Sequence, residues 1–267
     1  MYNSYAHWKY NTDIDESMAG EDSFSGELSF GTSGIRGVLG IGPKRMNEYV
    51  VARACKGIAM QLNSDGEKSV AITYDSRKNS DLFARLAAEV FAANKIKVYI
   101  TKQLTPTPVL AYAIGQLGGG GGLVITASHN PKEYNGLKVY DKTGCQISGG
   151  YAAKIAAIIK SLDYFNIHKA DFDTESASGN IQYMPQNIFD GYLNEVKKQG
   201  FNNCSDVKVC YTPLNGSGGF YVPTLLREKG ARVFCVKEQA YPDGNFTTCP
   251  YPNPEVKEAF ILAERYA

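Results

Sequence analysis

A strand, a helix and a second strand follow one another closely between residues 69 and 100. The segment "SVAITY" (69–74) is short, apolar and rich in β-branched residues, and "KVYI" (97–100) has the same character. Between them, "SDLFARLAAEVFAAN" (80–94) repeats its apolar residues every three to four positions, which predicts a helix capped by Ser80. Strands joined by a crossover helix lie parallel, with the helix packed on one face of their sheet. An α/β fold is therefore predicted.

The same alternation continues on both sides of this unit. A helix is predicted from the spacing of apolar residues between Met46 and Leu62, and another, started by proline, at about 108–117. Five consecutive glycines, Gly118 to Gly122, are predicted to form a flexible turn before the next strand. The elements predicted after them are a strand at 123–126, a turn and short strand at 135–140 and a helix at 148–162. We expect mixed, mainly parallel sheets sandwiched by helices.

A polar stretch near residues 168–182 separates this region from a second series of elements. That series contains helices at 185–200, 220–230 and about 254–266, and strands at 206–211 and 231–236. No strand follows the last amphipathic helix, so we expect the second domain to be truncated. The predicted divisions are an N-terminal extension at 1–28, anchored by Trp8, a first domain at 29–183 and the start of a second domain at 184–267.

Charge and hydropathy exclude several classes of partner. The chain has 28 basic and 27 acidic side chains, for a formal net charge of +1, and no block of like charges typical of nucleic-acid or membrane-surface binding. It begins without a basic and apolar leader, and no run of about 18 apolar residues occurs. We therefore expect a cytoplasmic protein that binds neither nucleic acid nor membrane.

Ser128 follows the predicted strand at 123–126, just past its carboxyl end. Open α/β sheets bind their ligands at that edge, where loops vary without disturbing the core. The neighbouring polar groups are His129, Asn130 and Lys138, together with two arginine-bearing loops, "FGTSGIRG" (30–37) and "TYDSRKNSD" (73–81). Cations and N–H groups of this kind form charge-assisted hydrogen bonds with a doubly charged phosphate. The pattern predicts a serine that carries a phosphoryl group.

Other interpretations of these residues stay open. A hydrolytic serine would sit in a G-x-S-x-G turn, whereas Ala127 and His129 flank Ser128. The alternative for Lys138 is a solvated charge at a sheet edge, and for Arg36 a cap at a helix C-terminus. Two further residues, Asp75 and Arg77, are interpreted as a structural ion pair or a helix-entry cap rather than as catalysts.

The segment "TASHNPKEYNGLKVY" (126–140) closely resembles the phosphoserine loop of the α-D-phosphohexomutases, the superfamily of phosphoglucomutases and phosphomannomutases. "FGTSGIRGVLGIGPKRMNEY" is similar to the N-terminal loop of that family and "LTPTPVLAYAI" to the segment ahead of its active serine. "YPDGNFTTCPYPNPE" (241–255) resembles part of its second domain. The resemblance covers residues 25–267 and is greatest to the bacterial phosphoglucomutase and phosphopentomutase-like branch.

The resemblance implies roles for the residues around Ser128. It makes Ser128, Lys138 and His129 the catalytic residues: Ser128 carries the phosphoryl group, Lys138 supplies acid/base or charge-stabilising chemistry, and His129 orients the phosphate. Arg36 and Asn130 are implied as phosphate-binding residues. It also implies Mg²⁺, bound to Ser128 through its phosphate, a sugar 1,6-bisphosphate as activator and small sugar phosphates as substrates.

One family feature is missing from the chain. The acidic "DGDxDR"-type metal loop is absent, and the nearest segment, "DFDTE" (171–175), is interpreted as solvated. The remaining metal ligands are expected beyond Ala267. The resemblance thus implies a fragment, inactive alone, of a phosphoglucomutase, an isomerase that interconverts glucose 1-phosphate and glucose 6-phosphate through a phosphoserine and a 1,6-bisphosphate. Phosphomannomutase and phosphopentomutase are the alternatives; a non-catalytic phosphosugar-binding module is the alternative from another class.

Overall fold

A computed structural model describes residue 20 and residues 22–200, 203–249 and 251–267. The predicted anchor Trp8, with most of the N-terminal extension, lies outside the described residues. The described part of the chain forms a six-stranded sheet with helices on both faces, followed by a two-stranded sheet with its own helices. The predicted fold class, a mixed and mainly parallel α/β architecture, is confirmed.

The larger sheet contains both parallel and antiparallel strands. Its strands are β1 (Ile35–Val38), β2 (Ser69–Tyr74), β3 (Lys97–Ile100), β4 (Gly121–Ile125), β5 (Tyr134–Asp141) and β6 (Ile181–Tyr183). They are arranged in the order β1-β5-β4-β2-β3-β6. β4, β2, β3 and β6 are parallel, and β5 runs antiparallel to both β1 and β4.

Two layers of helices cover this sheet. The helices are α1 (Glu48–Ser64), α2 (Ser80–Ala93), α3 (Thr107–Leu117), α4 (Gly149–Ser161), α5 (Phe172–Ala177) and α6 (Gln186–Gln199). α1, α2 and α4 pack together over the main core, whereas α3 and α6 cover the opposite face with a smaller apolar cluster. All residues of β4 are buried, as expected for a central strand that is covered on both sides.

A smaller unit follows α6. It consists of β7 (Lys208–Tyr211), α7 (Tyr221–Glu228), β8 (Arg232–Cys235), two 3₁₀ turns (Lys237–Gln239 and Lys257–Phe260) and α8 (Ile261–Tyr266). The helix predicted at 254–266 begins later because the Asn253 side chain accepts the Glu255 N–H and forms a turn there. The domain boundary predicted between residues 183 and 184 stays a prediction. Among the described residues, no helix has the length and apolarity needed to span a membrane.

The glycines form the predicted turn only at residues 118–120, and Gly119 to Gly122 are buried rather than exposed in a flexible loop. Gly118 ends α3 with a φ of 59°, and β4 begins within the run. An ideal Cβ at Gly120 would lie 2.3 Å from the Cβ of Glu67, and one at Gly122 would lie 2.6 Å from Cδ1 of Ile114. The missing side chains allow β4 to approach its neighbours closely.

Two strands lie in segments for which the sequence pattern predicts none. β1 lies in the glycine-rich loop at 30–37, and the polar stretch at 168–182 contains α5 and β6. Phe172 of α5 and Ile181 of β6 are buried in the main core. Strands of three or four residues are too short to show an apolar period, and pairing with distant strands decides their conformation.

Candidate functional site

Ser128 lies on an exposed loop just past the carboxyl end of β4, as predicted. Its φ of 58° is left-handed, a conformation that costs a residue with a side chain about 1–3 kcal/mol and occurs mainly where the surroundings enforce it. The Ser128 N–H donates to Oγ1 of Thr126 at 2.8 Å. The backbone is therefore held while the side chain faces outward.

Arg36 reaches this loop from β1. It stands opposite Gly136 of β5, where an ideal Cβ would lie 3.0 Å from Cγ of Arg36, so the glycine makes room for the arginine. One terminal nitrogen of Arg36 donates to Oδ1 of Asn130 at 3.1 Å. Within the described residues, the buried Nε of Arg36 has no hydrogen-bond partner. Arg36 therefore hydrogen-bonds the Ser128 loop through Asn130, while its buried Nε–H has no acceptor among the described residues.

Lys138 lies on the same face of the sheet as Arg36. It stands opposite Val124 on β5, two residues after Gly136, and side chains two apart on a strand share a face. The Cα atoms of diagonal neighbours of this kind, such as Arg36 and Lys138, lie about 7–8 Å apart. Lys138 is half-buried. Burial is the main cause that lowers the pKa of its ammonium group, and the positive charge of Arg36 lowers this pKa further, whereas the charge of Asp75 raises it. The interpretation of Lys138 as a solvated edge charge is not favoured by this position.

The buried side chain of Arg77 binds the backbone of the Ser128 loop. Its two terminal nitrogens donate to four backbone carbonyls, those of Ser128 (2.8 Å), Asn130 (2.6 Å), Pro131 (2.8 Å) and Tyr134 (2.9 Å). Its Nε lies 3.5 Å from a carboxylate oxygen of Asp75. The predicted ion pair is present, but its attachment to the loop 51 residues away was not foreseen from the sequence.

Asp75 anchors Arg77 to the end of β2. Its carboxylate accepts the Arg77 N–H at 2.9 Å and the Ser80 hydroxyl at 2.9 Å, and it also hydrogen-bonds Thr126. Burial raises the pKa of this carboxyl, against the effect of these partners. The prediction that Ser80 caps α2 is therefore wrong; Asn79 takes that position without a side-chain cap. The loops that carry Arg77 and Ser128 follow the neighbouring parallel strands β2 and β4, so they leave the sheet at the same edge. This shared edge is the feature of the sequence from which their contact could have been predicted.

The charge balance at this edge favours an anion. The guanidinium of Arg36 disfavours the charged forms of both Arg77 and Lys138, so the three cations lie close enough to repel one another. Asp75 and Glu133 are the carboxylates that offset the charge of Arg77. A phosphate next to Ser128 would relieve this repulsion and accept charge-assisted hydrogen bonds.

The remaining predicted residues contribute in different degrees. Oδ1 of Asn130 accepts a hydrogen bond from Arg36, and the role of Asn130 in binding phosphate stays a prediction. His129 is exposed, and the described structure gives it no hydrogen-bond or ion-pair partner. Its role in orienting phosphate therefore stays a prediction.

The described residues do not fit a Mg²⁺ site. Within the described ranges, no three His, Cys, Asp or Glu side chains are grouped to hold a metal ion. The carboxylate of Asp75 is already bound by Arg77, Ser80 and Thr126. Because Mg²⁺ prefers several oxygen ligands in near-octahedral geometry, these residues alone do not form a site for it. Metal binding through the phosphate of Ser128 stays a prediction.

Comparison with protein families gives two matches along the chain. Residues 27–165 match the sequence model described as phosphoglucomutase/phosphomannomutase, alpha/beta/alpha domain I. Residues 190–267 match the corresponding domain II. The first match contains β1 to β5 and the whole Ser128 loop.

Individual proteins give the same result. The chain is 37% identical to a phosphoglucomutase of Staphylococcus saprophyticus over 97% of its own length and 47% of that protein. It is also 37% identical to a phosphoglucomutase of Staphylococcus haemolyticus, over 92% of the chain and 46% of the relative. The chain thus spans about half the length of the curated relatives it matches.

Solved structures agree on the fold. A Thermus thermophilus protein described as a phosphomannomutase superposes with a TM-score of 0.75 at 23% identity, over 90% of this chain and 52% of that one. A family likeness at this identity concerns the fold, and the residues around Ser128 carry any argument about chemistry.

Proposed function

Because the chain belongs to the phosphoglucomutase/phosphomannomutase family, we propose that Ser128 carries the phosphoryl group in a phosphoglucomutase reaction, the interconversion of glucose 1-phosphate and glucose 6-phosphate. The observation that carries the proposal is the exposed Ser128 side chain on a left-handed backbone, beside the Arg36–Asn130 pair. The staphylococcal phosphoglucomutases support glucose as the sugar. The family description also covers phosphomannomutases, so mannose phosphate is the second candidate.

The proposed reaction has two transfers. In the first, a hydroxyl of the sugar monophosphate attacks the phosphorus of phospho-Ser128; a new sugar O–P bond forms and the Ser128 Oγ–P bond breaks. The proton of the attacking hydroxyl passes to the departing Ser128 oxygen, with Lys138 as the neighbouring group that can exchange it. In the second, the Ser128 hydroxyl attacks the other phosphate of the resulting 1,6-bisphosphate; a Ser128 Oγ–P bond forms, that sugar O–P bond breaks, and the Ser128 proton passes to the sugar oxygen, which releases the isomeric monophosphate. No phosphate is gained or lost overall.

The residues near Ser128 suit such a transfer through position and charge. Phosphoryl transfer depends mainly on holding donor and acceptor in line and on stabilising charge at the phosphoryl oxygens. Arg36 supplies a positive charge that its hydrogen bond to Asn130 holds beside the Ser128 loop. The lowered pKa of Lys138 eases its loss of a proton, which suits a group that exchanges protons with the sugar hydroxyl or Ser128. A sugar 1,6-bisphosphate would prime the serine.

The test measures phosphate on Ser128 directly. Protein purified from cells is analysed by intact mass, then digested with trypsin, which releases the peptide 103–132; Ser128 is the only serine in it. The protein is then treated with glucose 1,6-bisphosphate and, after removal of the bisphosphate, with glucose 1-phosphate or mannose 1-phosphate. We expect one phosphate on this peptide, absent from Ser128→Ala, and its transfer to the sugar phosphate once per chain, without sustained turnover, because the acidic metal loop is absent from these 267 residues.

The controls separate the proposal from its rivals. Ser148→Ala removes an exposed serine at the start of α4 and should leave phosphorylation unchanged. Transfer to the mannose phosphate alone would favour the second candidate. A Ser128 that accepts no phosphate from the bisphosphate, or that reacts with a fluorophosphonate probe as a hydrolytic serine does, would overturn the proposal.

A further inference from the structure

The four hydrogen bonds of Arg77 fix most of the Ser128 loop through one side chain. The accepting carbonyls extend from Ser128 to Tyr134, so a single guanidinium spans the loop between β4 and β5. The first of them belongs to the residue with the left-handed backbone. A planar guanidinium can donate in several directions at once, whereas a lysine ammonium at the same place cannot reproduce that geometry.

Arg77 lies too deep to meet a substrate. Its side chain is 1% exposed, and burial lowers the pKa of its guanidinium, which Asp75 opposes. Its two terminal nitrogens donate to protein carbonyls, and its Nε faces the carboxylate of Asp75 at 3.5 Å. It can therefore act on the Ser128 side chain only by holding the backbone that carries it.

The smaller unit covers Arg77 from outside. The ring centre of Phe246 lies 5.5 Å from the guanidinium carbon, within the range of a cation–π contact, and Phe246 is buried. Gly244 packs so closely on the segment before Arg77 that an ideal Cβ would lie 2.9 Å from the carbonyl oxygen of Ser76. A crevice of about 1090 Å³ lies beside this contact, lined by residues of both units.

The loop that carries Phe246 is itself held in shape. The carboxylate of Asp243 accepts the N–H groups of Asn245 at 2.9 Å and Thr247 at 2.8 Å, and these bonds lower the pKa of Asp243. The Asp243 N–H donates to the carbonyl of Asn215 at 3.2 Å. Phe246 therefore reaches Arg77 from a fixed turn.

We propose that Arg77 is the positioning residue of the Ser128 loop, and that Phe246 of the smaller unit keeps it in place by covering the guanidinium and excluding water. The geometric part stands on the contacts above. The consequence for phosphoryl transfer rests on the proposed function of Ser128.

The test compares two buried arginines. Arg77→Lys is paired with Arg53→Lys as a control. Arg53 is also buried, but it donates to the carbonyls of Leu162 and Lys160 and stacks on Tyr164, none of which belongs to the Ser128 loop. Amide exchange measured by NMR on the 267-residue chain reports the loop itself. We expect the amide of Asn130, which donates to Ala127, to exchange at least about tenfold faster in Arg77→Lys only.

A second variant keeps the test informative if Arg77→Lys does not fold. Phe246→Leu should raise exchange at the same amide by a smaller factor, whereas Phe172→Leu, which removes a ring stacked on Arg85, should not. Unchanged exchange at residues 128–130 in Arg77→Lys, or in Phe246→Leu where Arg77→Lys does not fold, would overturn the proposal. So would an increase in Arg53→Lys equal to that in Arg77→Lys.

The rate of phosphate uptake by Ser128 separates this proposal from the proposed function. If wild type accepts phosphate and Arg77→Lys accepts it markedly more slowly, both stand. If the loop loosens in Arg77→Lys but wild type never accepts phosphate, the positioning role stands and the proposed function fails. If wild type and Arg77→Lys accept phosphate at equal rates, with equal loop exchange, the positioning role fails.

Discussion

Replacing Gly136 of β5 by alanine tests how closely Arg36 of the neighbouring strand β1 packs against it. The new Cβ would lie 2.4 Å from the carbonyl oxygen of Ile35 and 3.0 Å from both Cγ of Arg36 and the carbonyl oxygen of Thr126. Two of these neighbours are backbone atoms, which cannot rotate away, so β1 must shift. Overpacking of this kind costs about 1–3 kcal/mol, and the lower entropy of an unfolded alanine offsets about 0.4–1 kcal/mol of it.

The mid-values of these two ranges leave a net loss of about 1.3 kcal/mol, which corresponds to a fall in Tm of roughly 3–5 °C for a unit of this size. Urea unfolding followed by circular dichroism measures the free energy, and the side-chain NMR signal of Arg36 Nε reports whether the arginine has moved. Gly150→Ala is the matched control, because nothing lies within 4 Å of its Cβ and it stands in the first turn of α4. Wild-type stability with an unmoved Arg36 signal in Gly136→Ala would refute the packing described.

Three further predictions concern the same edge of the sheet. Burial and the charge of Arg36 lower the pKa of Lys138 below its ordinary value of 10.5. Between the lowered pKa and 10.5, the Lys138 side chain binds fewer protons in the folded chain than in the unfolded chain. The free energy of unfolding of wild type should therefore rise with pH in that window. Lys138→Met should therefore be more stable than wild type at pH 7 in urea unfolding, with an advantage that shrinks as pH rises; an advantage that grows would contradict this. Thr126→Val removes the acceptor of the Ser128 N–H and should lower the free energy of unfolding by about 1–3 kcal/mol. Thr73→Val is the control and should not destabilise the protein, because the buried Thr73 hydroxyl has no hydrogen-bond partner in the described structure. Equal losses in the two variants would contradict the role of Thr126. The resemblance-based prediction that the chain alone is inactive is checked by a coupled assay with glucose 1-phosphate, the 1,6-bisphosphate and Mg²⁺, in which robust turnover would contradict it.

Elements with a strong local pattern were predictable from the sequence. β2 and β3 have their predicted bounds, since short apolar runs flanked by polar residues permit little else. The place of Ser128 followed from its strand, because a loop after a central parallel strand must emerge at the ligand-binding edge. The alternation of residues along β5 likewise put Lys138 on one defined face.

The parts that could not be predicted depend on residues far apart in the sequence. Arg77 and the carbonyl of Ser128 are 51 residues apart, and Arg36 is 94 residues from Asn130. The glycines of β4 look flexible from the sequence, yet Gly122 packs against Ile114 on the helix before it. Their effect becomes visible only once the strands are paired, because a missing Cβ matters through what occupies its space.

The second pKa of a phosphate on Ser128 tests the central claim most directly. Phosphoserine is placed at position 128 by genetic encoding, so the measurement needs no activity, and the ³¹P signal is followed as pH changes. The pKa of a free phosphoserine is about 6. We predict a value about 1 unit lower in this chain, because Arg36 and Lys138 stabilise the dianion, and a return toward 6 in Arg36→Met and Lys138→Met. An ordinary pKa that neither variant changes would contradict the claim that Ser128 presents a phosphoryl group to these cations.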